Sequence, residues 1–317
     1  MVRGLAVLAA AFAVQVLASA AAQTAEVYHP PRTADGRPDL QGVWASAFMT
    51  GLERPDDVKD LVLSPKEAAE LSKRLHGYVP QVVDPDANFI GDFTLAVVKG
   101  GYRSSLIVDP SDGKLPLTPA SKEAVTAFNK APETRFDNPE ERDNWERCII
   151  GGGQAPMRPE HGFTPVQVVQ TRDAIVIMIE DVGGLRVVHM TGSPPPDAVR
   201  SFEGFSAGRW DGDTLVIETT HFKPNDRFRS TVDTALILGP NSKVIERYTR
   251  VSDTELLEQF TIEDATLYAK PWLAEYSLTR SEEKTYEYAC HEHNYALTNV
   301  LRAARLGRQH QPKGKKS

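Results

Sequence analysis

The sequence predicts a mainly β fold: an antiparallel meander closing into a lipocalin-like barrel, with a few peripheral helices. Three observations carry this. From about Thr164 the hydrophobic period shortens to two, and 165–290 reads as short strands joined by brief turns. Turn pairs such as Asp211-Gly212 separate the apolar runs, as hairpins require. The chain also has no sustained βα alternation, Gly-rich phosphate loop or nucleotide fingerprint.

The elements follow in order. Residues 1–22 read as a signal peptide: Arg3, an apolar run from Leu5 to Leu17, then small residues suited to cleavage. The run is too short and Ala-rich for a membrane span, so no stable span is expected. Residues 23–40 are rich in Pro and polar groups and form an extended lead-in, and "LQGVW" opens the first strand at Leu40–Trp44. A single barrel-type domain is expected over 41–305, with helical insertions near 64–77 and 118–147. Ser64-Pro65-x-Glu67 starts the first helix as a capping box and Gly77 ends it; Thr118 and Pro119 start the second, with Val125 and Phe128 as its apolar stripe. "NPEERDNWERC" suggests a third, shorter helix, and "GGG" at 151–153 a flexible loop. Strands at 92–98 and 104–108 are expected to join the sheet, "KTYEYACHE" to be its last strand, and "YALTNVLRAARLG" a closing helix. Residues 306–317 form a basic tail expected to be disordered.

Of 317 residues 41% are hydrophobic and 25% charged, an ordinary globular composition, and the net charge of -7 argues against nucleic acid. The expected location is periplasmic or secreted. Two cysteines remain after cleavage, Cys148 and Cys290, and an oxidising compartment favours pairing them; the alternative is two unrelated buried thiols. The chain-entropy model values such a bridge at about 4–5 kcal/mol.

"RSSLIVDPSDGKLPLTP", "GRWDGDTLVIETTHF", "VIERYTRVSDTELLEQFTIED" and "YEYACHEHNY" together resemble a family of exported bacterial β-rich proteins. Its members look like "DG-PDL-GVW" at the start, then "GRW-GDTLVVETTNF", then "YEYACHEGNY". The resemblance spans roughly 33–303. It implies export and a lipocalin-like body and brings no activity with it. His293 stands where the pattern has Gly, and His221 where it has Asn, so His291 alone of these motif histidines belongs to the shared pattern.

Candidate chemistry comes from charge placed inside strands. In "VIERYTRV", Val244, Glu246, Tyr248 and Arg250 share one face; in "LVIETTHF", Val216, Glu218 and Thr220 share one. "IMIEDVGGLRVVHM" adds Glu180, Asp181, Arg186 and His189. Ions buried unpaired cost several kcal/mol each, so these groups should pair, reach the rim or line a polar cavity. The competing reading is outward-facing ion pairs worth at most ~1 kcal/mol each. The cavity reading assigns His291 or Glu218 as general base, Glu180 and Glu246 as partner carboxylates, Arg186 or Arg247 as anion holders, and Trp44, Trp210 and Tyr248 as an apolar wall. His291 and His293, two apart, suggest a metal pair completed by His189, His221 or Glu218, but that spacing is unspecific and no metal or other cofactor is expected. The sequence thus predicts an exported barrel acting on a small, partly apolar molecule by lyase, isomerase or hydrolase chemistry. A non-catalytic carrier of such a ligand and an envelope-associated structural protein are the alternatives.

Overall fold

In the β region every second side chain points the same way, and in this chain the apolar half of that alternation points inward. The computed structural model describes residues 28–46, 48–76, 94–130, 136, 138–142, 144–151, 154–157, 164–223, 229–230 and 235–309. The segment read as a signal peptide, Gly77, Gly152, Gly153, residues 92–93 and the stretch beyond Gln309 lie outside these.

Nine strands close into a barrel: β1 (Gly42–Ser46), β2 (Thr164–Gln170), β3 (Ala174–Ile179), β4 (Leu185–His189), β5 (Phe205–Asp211), β6 (Thr214–Thr220), β7 (Lys243–Arg250), β8 (Glu255–Glu263) and β9 (Trp272–Ser281). Closure comes from β1 pairing with β9, with Trp44 opposite Arg280. The Trp44 indole is buried at this seam, its Nε1 donating to Leu40 O at 2.9 Å, beneath the Arg250 and Arg280 guanidiniums. Ile107–Asp109 pairs with the start of β9, which β1 does not reach.

The barrel is not a pure meander. β4 and β5 run parallel, with Val188 opposite Ser206, while the other neighbours are antiparallel. A parallel step needs a crossover of about a dozen residues or more. Residues 190–204 supply it, and Pro194, Pro195 and Pro196 within it lack the N–H groups a hairpin ladder would use.

Inward residues include Ile175, Ile177 and Ile179 of β3 and Leu256, Phe260 and Ile262 of β8. Burying each such side chain stabilises the fold by about 1.5–3 kcal/mol. The peripheral elements follow their caps. In α1 (Pro65–His76), Glu67 accepts from Ser64 N at 2.9 Å, and Ala68 and Leu71 pack on Leu63 and Leu95. In α2 (Pro119–Lys130), Ser121 N donates to Thr118 Oγ1 at 3.3 Å. Val97–Val98 forms a separate small sheet with Gly101–Arg103 and Val62–Leu63 rather than joining the barrel. The third helix expected near 138–148 is only a 3-10 turn at Pro139–Glu141, whose Asn138 gives no side-chain cap.

The expected last strand is also displaced. Residues 282–289 are irregular and a 3-10 turn follows at Cys290–His293; the true last strand is β9. The Tyr-x-Tyr of "YEYA" mimics strand alternation, but β9 is already paired to β1 and Ile107–Asp109, and Tyr286 and Tyr288 face water. Helix α3 (Tyr295–Gln309) closes the described chain and runs into the segment read as a tail. Cys148 and Cys290 form a disulfide, as expected. Among the described residues no helix is long and apolar enough to cross a membrane.

Candidate functional site

β7, β8 and β9 set Tyr248, Glu258 and Tyr276 directly opposite one another in one row across the inner wall. Glu246 lies two residues from Tyr248 on the same inward face, and Arg186 reaches it from β4 on another part of the wall. All five side chains are sealed, with 0–3% of their surface exposed. In a wall otherwise made of hydrocarbon, charges persist only if paired and hydrogen-bonded.

Arg186 and Glu246 meet that condition through contacts of 3.1 Å (Nη1 to Oε1) and 3.0 Å (Nη2 to Oε2). Glu246 Oε1 accepts further hydrogens from the Tyr248 hydroxyl at 3.1 Å and from Met157 N at 3.0 Å. Three donors on one oxygen suit a carboxylate. Burial pulls the Arg186 guanidinium down, but Glu246, Tyr248 and Glu258 together outweigh it and its pKa rises.

Glu258 is in the opposite state. Burial, then the neighbouring Glu246 charge, pushes its carboxyl well above the usual range. Hydrogen counting agrees. The Tyr276 hydroxyl has one hydrogen and faces two oxygens, the Met157 carbonyl at 2.8 Å and Glu258 Oε2. The carbonyl can only accept, so the Glu258 contact is satisfied when the carboxyl brings its own proton. Burial likewise raises both tyrosines and keeps them as phenols. The cluster therefore holds one cation, one anion and one neutral acid, and its net charge is zero.

Residues 154–157 are buried, and Met157 lends the cluster both its N–H and its carbonyl. Arg186 Nε, Glu258 Oε1 and Gln154 Oε1 are buried with no hydrogen-bond partner. The arrangement offers a proton donor (Glu258), a proton acceptor held by a cation (Glu246) and two phenols.

Of the residues named from sequence, Arg186, Glu246 and Tyr248 come together here. The others do not join them. Glu218 faces outward from β6 and is exposed, and Arg247, two-faced on paper, points outward to Asp211 at 3.0 Å. Glu180 accepts from Tyr286 N at 3.0 Å near the rim, and His291 is exposed in the 3-10 turn. Trp210 packs part-buried against the core, and Trp44 sits at the closure seam. The anion-holding part given to Arg186 is also revised, because its charge already faces Glu246. His189 stacks on Phe205, and His221 lies 3.4 Å from Asp197; among the described residues no three His, Cys, Asp or Glu side chains gather as a metal set.

Sequence reasoning missed Glu258 and Tyr276. The signal for Glu258 was present: it occupies the inward register of Leu256, Phe260 and Ile262, where an acid is out of place. Compared with models of protein families, with curated proteins and with solved structures, the chain matches none.

Proposed function

We propose that this is an exported, periplasmic or secreted barrel protein that acts on a small, partly apolar molecule by proton transfer in its polar-lined interior. The observation that carries the reading is the buried Glu258, its carboxyl pushed well above the usual range by burial and by the Glu246 charge, beside the Arg186–Glu246 pair. An acid and a base kept side by side in opposite protonation states are the requirement for general acid–base catalysis near neutral pH. The net neutrality of the cluster favours an uncharged substrate. A ligand anion would confront Glu246 with no unmatched cation to receive it. Arg186 Nε and Glu258 Oε1, buried in the cluster without a hydrogen-bond partner, suit a ligand bearing a carbonyl or hydroxyl group on an apolar frame. The disulfide is compatible with export.

A second reading, a carrier that binds without turnover, has its own support. Tyr276, Met157, Glu246, Tyr248 and Arg186 already satisfy much of one another's hydrogen bonding. Mass spectrometry of small molecules that co-purify with the protein tests both readings. Wild type, Glu258→Gln and His291→Ala are compared. The catalytic reading expects His291→Ala to match wild type and Glu258→Gln to retain an unconverted molecule that wild type converts when it is added back. Retention of one molecule by all three, with no conversion, selects the carrier. No enriched molecule in any of the three rejects both.

A further inference from the structure

The two sulfurs of the Cys148–Cys290 bridge have different surroundings. Cys148 is 5% exposed. Cys290 is half-buried and lines a surface cleft of about 380 Å³ with Trp145, Tyr288, Leu297 and Val300. That volume falls within the range of small-molecule sites. The ionised groups on the cleft walls, Arg142 and Glu146, are paired with each other through two contacts of 2.6 Å. Glu287 and Glu292 stand exposed on either side of Tyr288 and Cys290 in sequence. An anion approaching Cys290 is therefore disfavoured, and a neutral or basic molecule is not.

The buried sulfur has a donor of its own. Asn294 Nδ2 donates to Cys148 Sγ at 3.1 Å and to the Glu146 carbonyl oxygen at 2.8 Å, while Asn294 Oδ1 accepts from Leu297 N at 3.3 Å. The carbonyl takes only a donor and the N–H only an acceptor, so the amide has one satisfactory orientation. A hydrogen bond held on Cys148 Sγ stabilises that sulfur as a thiolate, the form in which it would leave a disulfide. The backbone at Cys148 is also in the left-handed region, with φ 55°. A residue with a side chain stays there only where its surroundings impose it, and the bridge is one such restraint.

We propose that the bridge is a thiol–disulfide exchange site for a thiol on a neutral or basic carrier, with Cys290 the sulfur attacked and Cys148 the sulfur that leaves. The incoming thiolate bonds to Cys290 Sγ from the cleft. The Cys290–Cys148 bond breaks, and its electron pair goes to Cys148 Sγ beneath the Asn294 donor. With a dithiol reductant, the second thiol then attacks the reductant's own sulfur in the mixed disulfide and releases Cys290. The bridge is reduced by two electrons and the dithiol is oxidised to a disulfide. The two protons that the dithiol gives up end on Cys148 and Cys290. Opening the bridge removes the covalent tie between residues 144–151 and the segment that carries α3. The proposal is independent of whether the barrel interior is catalytic.

The test treats the full oxidised chain with cysteamine, a small basic monothiol, quenches early with N-ethylmaleimide and maps the products by peptide mass spectrometry. Cysteamine on Cys290 with maleimide on Cys148 is expected in roughly tenfold or greater excess over the reverse, because access selects the attacked sulfur. In guanidinium chloride the excess is expected to vanish. Asn294→Asp keeps an Oδ1 acceptor for Leu297 N and removes the donor to Cys148. It is expected to slow the reaction about tenfold or more, the usual worth of a hydrogen bond to a charged group. The melting temperature of the oxidised variant verifies its fold, and the wild-type product ratio decides the matter if the variant does not fold. Equal labelling of the two cysteines overturns the proposal, as does preference for Cys148. A preference that survives unfolding overturns it, because neighbouring residues and not the cleft would then select the sulfur. A folded protein that does not react assigns the bridge to stability alone, and a folded Asn294→Asp variant that reacts at the wild-type rate removes the leaving-group argument; either result rejects the site.

Discussion

At neutral pH Glu258 carries a proton that a solvated glutamate has lost. Burial first, and the Glu246 charge second, hold its carboxyl above the ordinary range. The unfolded chain releases this proton near about pH 4.3, whereas the folded chain keeps it. The folded state therefore binds more protons above that point, and its stability falls as pH rises until the folded pKa is passed. Glu258→Gln preserves the shape and removes the titration. Its melting temperature is expected to gain steadily on wild type from about pH 5 to about pH 8. Other titrating groups, such as Glu67 with its carboxyl held low by the Ser64 hydrogen bonds, are common to both proteins and drop out of the difference. A gap that stays constant across this range would mean Glu258 does not hold the proton. At this scale the sequence showed three of the cluster's five residues, Arg186, Glu246 and Tyr248. The alternation in "VIERYTRV" put Glu246, Tyr248 and Arg250 on one face, and all three are buried. The same reasoning could not separate Glu218 from Glu246, since each sits in a strand of mixed faces. Barrel closure decides which face is inside, and it depends on all nine strands.

Single elements depend on backbone room as well as pattern. Between β3 and β4 the chain turns through Asp181–Gly184, and a Cβ on Gly184 would come within 2.0 Å of the Ile179 carbonyl oxygen. Backbone cannot yield there as a flexible side chain would. Gly184→Ala is expected to destabilise the protein by more than ~1 kcal/mol in denaturant unfolding. Gly307 in α3 meets nothing within 4 Å. Gly307→Ala is expected to raise helical content by circular dichroism, in line with a helix preference of about 0.5–1 kcal/mol. The same substitution thus has opposite effects at the two sites. Caps were the most legible elements because they are local: Ser64 with Glu67, and Thr118 with Ser121, appear where their spacing puts them. The parallel β4–β5 step and β9 were not legible. The first depends on where a Pro-rich crossover lands. In the second, Glu275 interrupts the apolar pattern, and it is buried against Arg103 of the side sheet, a partner far away in sequence.

Across the whole molecule the disulfide does more than join two turns. Its ends are 142 residues apart, and β2 through β9 all lie within the loop it closes. Of the nine barrel strands only β1 stands outside, and it completes the wall by pairing with β2 and β9. Cross-linking so much of the chain restricts the unfolded ensemble. Replacing both cysteines with serine is expected to lower unfolding stability by about 2–5 kcal/mol, read from the denaturant midpoint. Sequence anticipated this pairing from compartment and cysteine count, without any view of the geometry.

The complete burial of Glu246 and Glu258 has a consequence in ordinary buffers. Dissolved ions weaken charges that water touches over a Debye length of about 8 Å at physiological ionic strength, and they reach sealed pairs far less. Sodium chloride therefore loosens the outer pair of Arg247 and Asp211, while the ion pair inside the barrel keeps its strength.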